Sequence, residues 1–173
     1  MTLTTLDIEI AMIKAINPRQ NLTVPNVSWA FFSRQEVDIL YLTKNNYATE
    51  IEIKVSKSDI KNDRKKYHNH VNRLIARVYF AVPEELKDTA LEFIPKHAGL
   101  YIIKRVKVFY RYTPDQVSHT RTVIHLEREC KRNKDAVKWT ERQRYELARL
   151  GTMRILGLKQ TIQTLNLNYE RNR

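Results

Sequence analysis

The chain has 173 residues, 42% of them hydrophobic and 29% charged, with three glycines and five prolines. That is enough for a packed core without disulfides, and it excludes fibrous and low-complexity classes. Thirty-one Lys and Arg against nineteen Asp and Glu leave a formal charge of +12, which favours a polyanionic partner, nucleic acid being the commonest.

The first predicted element is a helix, "TLDIEIAMIKAI", with Leu6, Ile10, Ile13 and Ile16 at helical spacing and Asn17-Pro18 closing it. "LTVPNVSWAFF" is β-rich, and Pro25 points to an edge or a bend. Trp29, Phe31 and Phe32 in that run read as core. "EVDILYL" and "YATEIEIKV" follow as strands joined by Thr43-Lys44-Asn45-Asn46, whose paired Asn residues tolerate the positive φ of a hairpin turn. The period then changes. "SKSDIKNDRKKYHNHVNRLI" opens on Ser56 three residues before Asp59, as in a capping box, and sets Ile60, Tyr67, Val71 and Leu74 on one helical stripe.

"ARVYFAVP" reads as a buried strand stopped by Pro83, "EELKDTALEFI" as a short helix, and "GLYIIKR" and "VKVFYRY" as two further strands. Residues 114–135 are polar, and "RTVIHLE" within them fits a strand or a helix start. Thr140 and Gln143 form another capping box. The helical run after it has glycines at 151 and 157 where it could break. Its apolar band, from Tyr145 and Leu147 to Leu158, either docks on the sheet or forms a dimer interface, with Arg142, Arg144, Arg149 and Arg154 pointing outward. An antiparallel start feeding a β-α-β crossover gives an α/β fold with a mixed sheet.

Cys130 is the one cysteine, so no disulfide forms within the chain. With His119 and His125 it lacks the spacing of a zinc site. No apolar run reaches the roughly 18 residues of a membrane span. The start carries acids and no signal-peptide pattern. These readings imply a cytoplasmic protein with no membrane partner. No P-loop, G-x-S-x-G elbow, H-E-x-x-H helix or RNA-recognition strand is present.

The two acidic strands carry the chemistry. Side chains alternate faces along a strand, so Glu36 and Asp38 share one face, and Glu50, Glu52 and Lys54 share another, while Ile51, Ile53 and Val55 turn to the core. Neighbouring strands can then bring Asp38, Glu52 and Lys54 together. Carboxylates this close repel unless a cation lies between them, and hard oxygen donors suit Mg²⁺ or Mn²⁺. Lys54 would stand beside the metal and could hold a water or stabilise charge on a phosphate. The competing reading is an ordinary solvated strand face. The helix after these strands is rich in Lys and Arg, and a helix N-terminus favours phosphate. Lys57, Lys61, Arg64, Lys65 and Lys66 are the candidate contacts to nucleic acid. His68 and His70, two apart on a helix, point different ways and make a poor metal pair.

The pattern resembles the PD-(D/E)xK nuclease superfamily, on Val37-Asp38-Ile39 and Glu52-Ile53-Lys54, with Val37 where many members have proline. The closer likeness is to the MmcB-like DNA repair proteins, on "VDIL", "EIKVSKSDIKNDRKKY", "YFAVP", "FIPKHAGLYII" and "ERQRYELARL", together spread over most of residues 36–150. The resemblance implies a restriction-endonuclease-like α-β-β-β-α-β core, placed at residues 1–112, with a basic, mainly helical C-terminal extension at 113–173 packed on it. It implies a divalent-metal-dependent endonuclease that hydrolyses DNA, in repair or recombination. A catalytically inactive nucleic-acid-binding relative is the alternative, and an RNA-associated protein a third. Under the resemblance Asp38 and Glu52 hold Mg²⁺ or Mn²⁺, the Ile53 carbonyl is a further ligand, and Lys54 holds water and phosphate. Glu9, or Asp7 in its place, adds an acid from the first helix, and Glu50 stands behind the site. Relatives that cut both strands act as dimers, which makes a second copy a candidate partner beside DNA.

Overall fold

The computed structural model describes residues 2–28, 31, 36–63, 72–109 and 118–171. Helix α1, Thr5–Ile16, is followed by strands β1 (Leu22–Val27), β2 (Val37–Leu42) and β3 (Ala48–Ile53), then by α2 (Lys57–Asp63) and β4 (Ile75–Pro83). A 3₁₀ turn at Glu84–Leu86 leads into α3 (Lys87–Phe93), then β5 (Gly99–Phe109), β6 (Ser118–Arg128) and α4 (Glu141–Arg171). The six strands form one sheet in sequence order. Pairs β1/β2, β2/β3 and β5/β6 are antiparallel, and β3/β4 and β4/β5 are parallel. The chain is therefore α/β with a mixed sheet and a C-terminal helix, as the sequence predicts.

Local chemistry sets the element ends. Thr4 and Asp7 cap α1 reciprocally, and Asn17 ends it in the left-handed region at φ 58°. Asn46 holds φ 60° in the β2–β3 turn. Thr140 and Gln143 exchange the predicted capping bonds ahead of α4. At Ser56 the hydroxyl accepts from the Asp59 amide at 3.2 Å.

Several sequence expectations are corrected. "GLYIIKR" and the described part of "VKVFYRY", as far as Phe109, are one strand, β5, because nothing between them breaks its ladder with β6. "RTVIHLE" is strand, within β6. The boundary expected at 112/113 falls between these two strands, which pair from Leu100↔Arg128 to Phe109↔Ser118, so the sheet continues across it. Helix α4 runs unbroken through Gly151 and Gly157, since neither glycine has a positive φ. In α1 the buried side chains are Ile8 and Met12, whereas Leu6 and Ile10 are exposed. Apolar residues lie almost all round this helix, so its periodicity offered two stripes and contact with the sheet selected the other one.

The largest correction concerns the two faces of the sheet. All six residues of β3 are buried. One face, under α1, gathers Ile8, Met12, Ile39, Ile51, Ile53 and Ile103. The other gathers Leu40, Phe80, Val82 and Leu100 under Ile60 of α2, Ala90 of α3 and Trp139. The acidic face of β3 is thus a core face too. A strand with parallel pairing is flanked by crossover helices and loses its solvated side.

Residues 129–140 form a strap that carries the chain from β6 back under the sheet to β1. Backbone amides donate in turn from Lys131 to His97, Asn133 to Ala76, Val137 to Arg73 and Trp139 to Asn46, at 2.8–2.9 Å. The Trp139 ring is 2% exposed, its Nε1 donates to the Leu74 carbonyl at 2.7 Å, and Phe31 lies against it, a core aromatic as expected. Trp29 and Phe32 lie outside the described residues. The start of α4 then sits on β1 through Leu147, Leu150 and Gly151. Arg144 turns back to Asn46 and Arg154 to the Asn26 carbonyl, while Arg142 and Arg149 face outward.

Truncating Trp139 to Ala removes the strap's anchor. Unfolding in urea should show a loss of roughly 3–5 kcal/mol, the usual cost of deleting a buried aromatic, whereas Leu156→Ala on the exposed part of α4 should stay within about 0.5 kcal/mol of wild type.

Candidate active site

Register, more than sequence spacing, assembles the site. Leu40 pairs with Glu50 across β2 and β3, which puts Asp38 level with Glu52. Pro25 pairs with Ile39 and Val27 with Val37, which puts Asn26 level with Asp38. Glu52 pairs with Phe80. A row running Asn26, Asp38, Glu52, Phe80 therefore crosses four strands at the carboxyl ends of β3 and β4. In open α/β sheets this is the end where ligands bind.

Asp38 Oδ2 accepts from the Ile53 amide at 2.7 Å. The carboxylate thus stands in for a ladder carbonyl where β2 and β3 part. The next amide, Lys54, donates to the Ala81 carbonyl at 3.1 Å. These two bonds orient the end of β3 and hold the Lys54 side chain over the acidic face.

Lys54 Nζ lies 3.0 Å from Glu52 Oε2 and 3.3 Å from Asp63 Oδ1. The three side chains are 8%, 2% and 4% exposed. Burial alone pushes the Lys54 pKa down, but Glu52, Asp63 and Asp59 outweigh it and hold the ammonium well above its ordinary value. Lys54 is therefore a cation at neutral pH. It cannot serve as a general base there, but it can stabilise negative charge.

Asp63 was not among the residues singled out from sequence. It lies three residues after Ile60, so it sits on the buried stripe of α2. A carboxylate on an apolar stripe was the available signal. Glu50 is 2% exposed on the same face as Glu52, one step inward, and not at the surface. Glu36 is exposed just before β2.

The acids of α1 do not join Asp38 and Glu52. Glu9 accepts from Asn26 Nδ2 at 3.4 Å, so it lies next to the row, at the β1 edge. Asn26 has φ 52°, a left-handed residue inside a strand. Asp7 is taken up by its cap with Thr4 and by Arg105 at 2.8 Å. The hydrogen bonds from Thr4 hold its carboxyl below the usual range. Lys57 and Lys61 are exposed on α2, Lys61 lying over the Phe93 ring, whereas Arg64, Lys65, Lys66, His68 and His70 lie outside the described residues.

Among the described residues no group of three or more His, Cys, Asp or Glu converges as a metal cage. His125 lies 3.6 Å from Glu127. A full cage is not what Mg²⁺ needs, since it is commonly held by one or two carboxylates together with substrate phosphates and water. Asp38 and Glu52, level on adjacent strands, are carboxylates of the chemical type such a cation takes.

No family model matches the chain, and no curated protein matches it. Among solved structures, it resembles the SPO1766 protein of unknown function from Silicibacter pomeroyi, with a TM-score of 0.56 at 17% identity over 94% of each chain. At that identity the likeness shows the fold alone. No helix among the described residues is long and apolar enough to cross a membrane.

The buried cation gives a signed pH dependence. The folded-state pKa of Lys54 is raised, so its contribution to stability is complete below the unfolded value, about 10.4, and is lost as pH rises above it. Lys54→Met should be less stable than wild type by roughly 3–5 kcal/mol at pH 7 because Glu52 and Asp63 lose their cation. The gap between the two proteins in urea unfolding should narrow as pH is raised past 10.

Proposed function

We propose that the chain is a divalent-metal-dependent DNA endonuclease of the PD-(D/E)xK type, related to the MmcB-like repair proteins. The observation that carries this reading is the register that sets Asp38 level with Glu52, with Lys54 bonded to Glu52, at the carboxyl end of β3. The α-β-β-β-α-β order and the +12 charge support it. Asp38 and Glu52 would hold Mg²⁺ or Mn²⁺, with the Ile53 carbonyl as a further ligand. When bound, the metal supplies neutralisation of phosphate charge and a water of lowered pKa. Lys54, kept cationic by its carboxylate neighbours, would stabilise the phosphate oxygens as charge grows on them. Glu9, which accepts from Asn26 at the β1 edge, would add an acid from the first helix beside the row. Exposed Lys57 and Lys61 would contact phosphates in a way that does not depend on base sequence.

A second reading has its own observation. Glu52, Lys54 and Asp63 form a closed, buried ion-pair cluster, which is what a relative that binds nucleic acid without cutting it would retain as structure.

Incubation with labelled duplex, branched, flapped and single-stranded DNA, in Mg²⁺, Mn²⁺ or EDTA, separates the two. An active enzyme should cut at least one of these forms with either metal and none in EDTA. Asp38→Asn and Glu52→Gln should each slow cutting about 10²–10³-fold, the usual cost of one well-placed electrostatic group. Binding without cutting under every condition would favour the inactive reading. Replacing Lys57 and Lys61 together by Ala should weaken binding to all sequences alike. It should also reduce the slope of log affinity against log salt by roughly one unit for each phosphate left without its lysine.

A further inference from the structure

Helix α4 outlasts the body it is docked to. Leu147 and Leu150 are buried and Gly151 lies against Val24 of β1, but beyond them the helix continues to Arg171. On that stretch Ile155, Leu158, Ile162 and Leu165 recur at intervals of three and four residues and are 58%, 63%, 56% and 62% exposed. Counted backwards, the same spacing reaches Gly151, which lies against Val24, and the exposed Ala148. The row thus passes the edge of β1 at Gly151 and runs on outside the domain as an a/d seam, with Ile at a and Leu at d.

We propose that this seam is a dimer interface and that its occupant is the same helix of a second copy of the chain. A strict heptad repeat matches a partner helix with the same 3.5-residue period, whereas a globular surface needs no such period. Ile at a with Leu at d is the pairing that favours two strands. The positions flanking the seam let two like helices approach. Thr152, Thr161 and Asn166 are neutral there, Lys159 is the one cation between residues 155 and 169, and Arg154 is turned back onto Asn26. That same lack of cations argues against the other occupants. A helix lying on an anionic lipid surface, or along a nucleic acid, carries a Lys/Arg-rich face, and from Met153 to Leu167 the side away from the seam holds Met153, Leu156, Gln160, Gln163, Thr164 and Leu167, with no cation among them.

The test is the mass of the full-length protein by light scattering and sedimentation across a concentration series. Wild type should be a dimer at micromolar concentration. Leu158→Gln with Ile162→Gln should be a monomer with helical circular dichroism and thermal stability of the domain retained. Leu156→Gln is the control, since Leu156 is just as apolar and 55% exposed but stands off the seam; it should leave the dimer intact. The proposal is overturned by a monomeric wild type, whether or not it then binds anionic vesicles or DNA through α4. A dimer that survives the double substitution, or one that Leu156→Gln dissociates equally, overturns it as well. None of these outcomes depends on DNA cleavage, so the seam stands or falls apart from the nuclease reading.

Discussion

One buried ammonium ties the two halves of the site together. Lys54 leaves the carboxyl end of β3, and its charge is shared between Glu52 of the same strand and Asp63 at the end of α2. Removing a charge of this kind leaves two buried carboxylates facing each other, which is far more costly than the pair is stabilising. The direction of the first crossover depends on it, because α2 must run so that Asp63 returns to the strand it has just left. Ile60, one turn earlier on the same stripe, is buried in the core between that helix and the sheet.

The same cluster governs how the site could work. Lys54 stays charged because carboxylates surround it, and those carboxylates include Glu52, a residue the proposed chemistry needs as a metal ligand. The Lys54 ammonium occupies part of the space in which a divalent cation would compensate the acids. If Glu52 held such a cation, Asp63 would remain as a carboxylate partner for Lys54. Asp38 is oriented by the bond its carboxylate accepts from the Ile53 amide.

The strap explains how one end of the chain stabilises the opposite edge of the sheet. Its amides bond in order to the residues before β5, at the start of β4 and in the β2–β3 turn, and Trp139 then fills the space below Leu74. That path delivers α4 to β1, an edge strand that would otherwise expose its outer face. Because the docking uses only the first turns, residues 152–166 of α4 are left exposed.

Much of this was legible in the sequence. Element order, the caps at Thr140 and Ser56, the Asn turns and the strand-face alternation that joins Glu50, Glu52 and Lys54 follow from local rules about backbone and side-chain period. The long-range features were not legible. The stripe of α1 that is buried, the union of two β-segments into β5 and the inclusion of β6 in the sheet depend on which surfaces meet. So does the burial of the acidic face of β3. A periodic pattern says that a face exists but not what covers it. Asp63 shows the same limit: its place on the Ile60 stripe could be read from spacing, yet only the parallel crossover brings it within 3.3 Å of Lys54. The sequence alone determined the chemistry available at Asp38, Glu52 and Lys54. The tertiary structure decided that they stand level at one end of the sheet, because strand register is set by pairing across the chain and not by neighbours along it.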